Sequence, residues 1–109
     1  MATTYKVLGQ SNPSATTNTT LYTVPSATQA VVSTIVVANL DTSTASFRIA
    51  VRIAGATLAN SQYVAYNITV GASDSTTITL GLTLGATDVI TVYASTANVT
   101  FSAFGSEIS

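Results

Sequence analysis

Catalysis and metal binding need side chains that move protons, attack bonds or donate electron pairs, and this chain holds few of them. Its acids are Asp41, Asp74, Asp88 and Glu107, its cations are Lys6, Arg48 and Arg52, and it has neither histidine nor cysteine. Without histidine the usual general base and the commonest transition-metal ligand are missing. Without cysteine there is no thiol nucleophile, zinc–thiolate site or disulfide. Serine and threonine make up 34 of the 109 residues. A hydroxyl nucleophile needs an activating base, however, and a single lysine with no G-x-S-x-G elbow offers none. Asp41, Asp74 and Asp88 fall in turn-forming stretches. Turn carboxylates can hold calcium, but these form no dense D-x-D-x-D run, so their expected role is to cap turns. Nor is any acid set among aromatic residues as one of a glycosidase pair would be. The chain is therefore expected to be no enzyme and to need no cofactor or metal.

Arg48, Arg52 and the tyrosines remain. Arg48 and Arg52 are four apart in a segment of strand character, so they share one face of it. Phe47, Ile49, Val51 and Ile53 alternate with them and are expected in the core, with Arg48, Ala50 and Arg52 outward. Tyr5, Tyr22, Tyr63, Tyr66 and Tyr93 are spread along the chain. Tyr63 is expected on an outward face, opposite a stripe of Val64, Tyr66, Ile68 and Val70. Exposed arginine and tyrosine are favoured where proteins touch. Arg48, Arg52 and Tyr63 are thus the candidate interface residues, the arginines meeting carboxylates or backbone carbonyls of a neighbouring subunit. A tyrosine face can also hold a sugar, which keeps a glycan among the ligands, although the absence of tryptophan weakens that reading.

The elements that must position these residues read as strands. Segments rich in Val, Ile, Thr and Tyr run over Thr4–Leu8, Thr20–Val24, Ala30–Asn39, Ala45–Ile53, Tyr63–Val70, Thr76–Leu84, Asp88–Ala94 and Asn98–Phe104. In Thr76–Leu84, Ile78, Leu80, Leu82 and Leu84 fall on one side. Ala30–Asn39 is apolar on both faces, which suits a central strand or one covered by a neighbouring subunit. Pro25 should stop the strand before it. Ser11–Thr17 reads as a turn or an extended arm. Asn39–Ser43 supplies Asx-type bonds between strands. "GASDS" at 71–75 and "GATDV" at 85–89 read as one turn device used twice, and Ser95–Asn98 as a short hairpin. The chain is long enough for one domain, 1–109, with a core of its own. About eight short strands predict an all-β, single antiparallel β-sandwich, with a jelly roll among the arrangements that fit.

The net charge of −1 and the three cations exclude a nucleic-acid backbone as partner, which needs clustered Lys and Arg. They equally exclude a polybasic membrane anchor. The longest apolar run, Ile35–Ala38, is far too short to span a bilayer, and residues 1–10 show no signal peptide. A surface wetted by hydroxyls instead of charges is poorly defended against association, which suits a subunit of an assembly and predicts a homo-oligomer.

Two segments carry a resemblance. "TTLYTVPSATQAVVSTIVVANLDTSTASFRIAV" (Thr19–Val51) places LYTVP before an apolar strand, then an Asn-containing turn, then a strand bearing arginine. The tail "DVITVYASTANVTFSAFGSEIS" (Asp88–Ser109) has the form of a closing hairpin. Both are similar to small virion structural proteins of tailed bacteriophages, including cyanophages, and with "GATLANSQYVAYNITV" between them the likeness covers nearly the whole chain. The resemblance implies a β-sandwich present in many copies in the particle. It leaves the place open among head surface, neck and tail; the lack of catalytic groups and the poorly charged surface favour capsid decoration or cementing through contacts with the major capsid protein, with a neck, tail or fibre-attachment module among the proteins there as the alternative. It would locate the chain in the virion, assembled in the host cytoplasm, and it brings no catalytic residues. A carbohydrate-binding adsorption module is a further alternative.

Overall fold

The computed structural model describes residues 2–79 and 81–109. Leu80, expected on one side of its strand with Ile78, Leu82 and Leu84, lies outside the described residues. Nine strands run in chain order: β1 (Thr3–Ser11), β2 (Thr19–Thr23), β3 (Gln29–Asn39), β4 (Ala45–Arg52), β5 (Tyr63–Val70), β6 (Ser75–Ile78), β7 (Leu82–Leu84), β8 (Val89–Ala94) and β9 (Val99–Ile108). Two short 3-10 turns, Ile53–Gly55 and Asn60–Gln62, separate β4 from β5. The all-β, antiparallel sandwich expected from the alternation is the fold. One expected strand, Thr76–Leu84, is broken into β6 and β7, both of which pair with β3; Gly81 between them has φ 62°, a left-handed conformation that suits glycine.

One sheet has the order β1-β9-β3-β6, with β7 also on β3, and the other β2-β8-β4-β5. With β6 and β7 counted as one interrupted strand, these are the two four-stranded sheets of a jelly roll. The chain crosses between sheets at almost every connection, and β4–β5 is the hairpin in which neighbours in sequence also pair. This corrects the hairpin expected at Ser95–Asn98. β8 and β9 lie in different sheets, so that turn carries the chain across the sandwich. Local alternation cannot tell a hairpin from a sheet-switching corner, because both begin and end with a strand.

The core lies between the sheets. Phe47 of β4 and Phe101 of β9 meet edge to face at 6.0 Å, and Ile35, Val37, Ile49, Ile90, Val92 and Val99 close around them. β3 is the central strand its two-faced apolar pattern suggested, held by β9 on one side and by β6 and β7 on the other. Ile53 departs from the expected core stripe. It sits in the 3-10 turn, 72% exposed, because Ala54 and Gly55 take positive φ and end the pleat at Arg52.

The turns use a common device. Ala27, Ser73 and Thr87 have left-handed φ values of 56°, 53° and 68°, and each stands just before a strand. In "GASDS" and "GATDV" the aspartate amide returns to the glycine carbonyl, Asp74 to Gly71 and Asp88 to Gly85. The repeated turn read from the sequence is therefore present at both places. Asn39, buried at 2%, accepts from the Asp41 amide and donates to the carbonyls of Ser43, Val70 and Gly71. One side chain thereby ties the β3–β4 corner to the end of β5. Of the expected Ser11–Thr17 segment, Ser11 ends β1 and residues 12–17 form a turn and not an arm, since the Thr16 amide bonds the Ala94 carbonyl and Pro13 is buried.

Candidate functional site

The described side chains with the most chemical potential gather on the outward face of the β2-β8-β4-β5 sheet. Arg48 of β4 lies directly opposite Tyr93 of β8, and directly opposed residues of an antiparallel pair share a face. β5 reaches the same place through irregular backbone. Its register with β4 shifts between Phe47 and Ile49 and again between Ile49 and Ala50, and Asn67 has φ 52°. Asparagine tolerates this left-handed conformation better than most residues. The extra residues change the parity of the strand, so the expected stripe of Val64, Tyr66, Ile68 and Val70 does not form. Ala65 and Val70 are buried, while Val64 and Tyr66 are exposed at 40% and 54%. Bulges that re-aim side chains do this where a surface is shaped for contact.

The result is a stack. The Arg48 guanidinium lies 4.3 Å from the ring centres of both Tyr66 and Tyr93. Tyr63 packs edge to face on Tyr66 at 4.9 Å. The Arg48 Nε–H donates to Asn67 Oδ1 at 2.7 Å. Each ring face attracts the cation, by about 0.5–1 kcal/mol at an exposed site. Together the rings and the amide fix a side chain that would otherwise wander. Beside the stack is an open groove of about 370 Å3 lined by Asn60, Tyr63 and Tyr66.

Arg52 lies on the same strand but is spent within the chain. Its Nε donates to the Ala56 carbonyl at 2.7 Å and Nη2 to the Gly55 carbonyl at 2.8 Å, and Nη1 reaches Thr91 Oγ1 at 3.4 Å. Asp88 holds the other side of this turn through the Ala54 amide at 2.8 Å. Of the three residues expected at an interface, the structure thus brings Arg48 and Tyr63 together around Tyr66 and gives Arg52 a turn-closing role. Tyr66, Tyr93, Asn67 and Asn60 complete the patch. Asn67 in the middle of a strand was the one legible sign of the bulge, since asparagine is a poor strand former.

A second polar cluster sits at one end of the sandwich. Tyr22 of β2 donates its hydroxyl to Glu107 of β9, which also pairs with Lys6 of β1 at 2.9 Å. The Tyr22 hydrogen bond and then Lys6 hold the Glu107 carboxyl below its ordinary value, while burial and the neighbouring carboxylate push the Tyr22 hydroxyl up. This cluster closes the sandwich end across both sheets. The aspartates act as turn caps: Asp41 accepts from the Thr42 amide, Asp74 from the Ser75 amide, and Asp88 from the amides of Ala54 and Gly85. Among the described residues, no three acids gather as metal ligands would. The chain matches no family model, no curated protein and no solved structure.

Proposed function

We propose that this chain is a structural protein of a tailed-phage particle, and that it decorates or cements the capsid through multivalent protein–protein contacts. The observation that carries the mode of action is the Arg48–Tyr66–Tyr93–Tyr63 patch, a rigid cationic and aromatic surface of the kind that binding hot spots favour. The likeness of Thr19–Val51 and Asp88–Ser109 to small virion proteins supports the place. Each copy makes a modest contact with the shell or with its own kind, and repetition over a symmetric surface turns modest affinity into lasting attachment. The low charge of the chain suits close approach between copies.

Counting copies per purified particle by quantitative mass spectrometry tests this. Decoration requires a number that scales with the shell. A small symmetric number, as one ring holds, would replace decoration by the neck, tail or fibre-attachment reading. Absence from the particle would remove both.

The groove beside Tyr63 and Tyr66 favours a second reading, a carbohydrate-binding module used in adsorption. It predicts glycan-array binding that is lost on Tyr63→Ala. Silence across a broad array counts against it.

A further inference from the structure

We propose that Arg48 is a preorganised docking point for an aspartate or glutamate side chain of a protein partner other than this chain. The inference deepens the contact function above and rests on the same patch. A guanidinium has five N–H donors, of which Nε–H is taken by Asn67. Its terminal nitrogens meet no acceptor among the described residues. The rings of Tyr66 and Tyr93, each 4.3 Å away, hold its plane. The free edge is a planar fork, the geometry that receives a carboxylate through two parallel hydrogen bonds. Because its orientation is set in advance, little side-chain entropy is lost when the bond forms.

Charge selects the ligand class. Arg52 is committed to the carbonyls of Gly55 and Ala56, and Lys6 to Glu107 on the other sheet. Arg48 thus offers one positive charge, which matches one carboxylate and is too little for a phosphate dianion. A sugar platform fits less well, since the guanidinium covers a face of both Tyr66 and Tyr93. The chain's own acids are engaged at home. Asp41 holds Thr42 and Asn98, Asp74 holds Ser75, Asp88 holds Ala54 and Gly85, and Glu107 holds Tyr22 and Lys6. An acid of a second copy would have to share its oxygens between the Arg48 fork and the bonds it already accepts, whereas an acid on a different protein is free of them, and this points to a different protein.

The test is an NMR titration of the purified protein with N-acetylglutamate methylamide, using its glutamine analogue, glucuronate and inorganic phosphate as parallel probes. The expected result is a saturable shift of the Arg48 Nε–H and the Asn67 side-chain amide with the glutamate probe, absent with the glutamine probe. Arg48→Gln should abolish it, and Arg48→Lys, which keeps the charge without the fork, should weaken it. Asn67→Ala leaves the cation and removes its tether, and should also weaken it. No shift, or equal shifts with glutamate and glutamine, overturns the proposal. Tighter binding of glucuronate or phosphate overturns it in favour of an acidic sugar or a phosphate. The titration uses the isolated chain, so its failure leaves the particle count untouched, and a failed particle count leaves the titration standing.

Discussion

Arg48 and Arg52 stand four residues apart, yet one lies in an aromatic stack on the outer face and the other closes a turn of the fold. Their sequence spacing put them on one strand face. It could not show that the β4–β5 connection folds back under Arg52, because that depends on the left-handed backbone at Ala54 and Gly55. The two should separate on mutation. Arg48→Ser removes the cation from two exposed rings and is expected to cost the isolated domain about 1–2 kcal/mol. Arg52→Ser leaves the Gly55 and Ala56 carbonyls to water and frees the turn, so it should cost more and raise hydrogen exchange across residues 53–56. Denaturant melts of the two variants check the order, and a larger loss for Arg48→Ser would contradict it.

Tyr22 and Glu107 make a prediction in pH. Glu107 titrates lower in the folded chain than its ordinary 4.5. The stability it contributes is therefore complete above that value and is lost as pH falls through the folded value. Tyr22 titrates above its ordinary 10.0 when folded, so its contribution is complete below pH 10 and declines as pH rises beyond it. Thermal midpoints across pH should fall at both ends, and Tyr22→Phe should flatten both declines. An unchanged profile in that variant would mean that the hydrogen bond has no weight.

Among the elements, most strand positions were legible because alternating Val, Ile and Thr admit few other readings. The parity of β5 was not. Val64, Tyr66, Ile68 and Val70 alternate cleanly in sequence, and only the bulges around Val64 and Asn67 turn Ala65 inward and Tyr66 outward. A bulge has no period to detect, and its sequence sign is a single residue such as Asn67. The close approach of strands was equally hidden. At Gly105 of β9 an added Cβ would stand 2.0 Å from the Val31 carbonyl oxygen, beside the register shift between Val32 and Thr34. Gly105→Ala should therefore cost about 1–3 kcal/mol through backbone displacement. A variant as stable as the parent would show that the β3–β9 ladder yields there. Asn39 was legible as a turn residue but not as the anchor of two corners. Asn39→Ala, which strips the buried carbonyl of Val70 of its side-chain partner, should cost about 1–3 kcal/mol in an equilibrium melt.

The whole molecule is a jelly roll whose strands switch sheets at nearly every turn, leaving a cationic and aromatic patch on one outer face. The sandwich followed from strand count and turn spacing, whereas the sheet order did not, since it is set by pairings between distant segments such as β1 with β9. The opposite outer face belongs to β3 and its neighbours, where Val31, Val36 and Phe104 are half-buried and Val7 is exposed. With so few charges to oppose contact, the purified chain is expected to self-associate as its concentration rises, as sedimentation can measure. A strict monomer at high concentration would leave attachment to depend on the other sheet alone. Capsid decoration is decided by where the chain sits in a particle. A cryo-electron microscopy map of assembled virions measures that directly. Decoration predicts jelly-roll density repeated over the capsid surface, with the Arg48 face against a carboxylate of a capsid protein. Density confined to one ring at the portal end, or no such density anywhere, would contradict it.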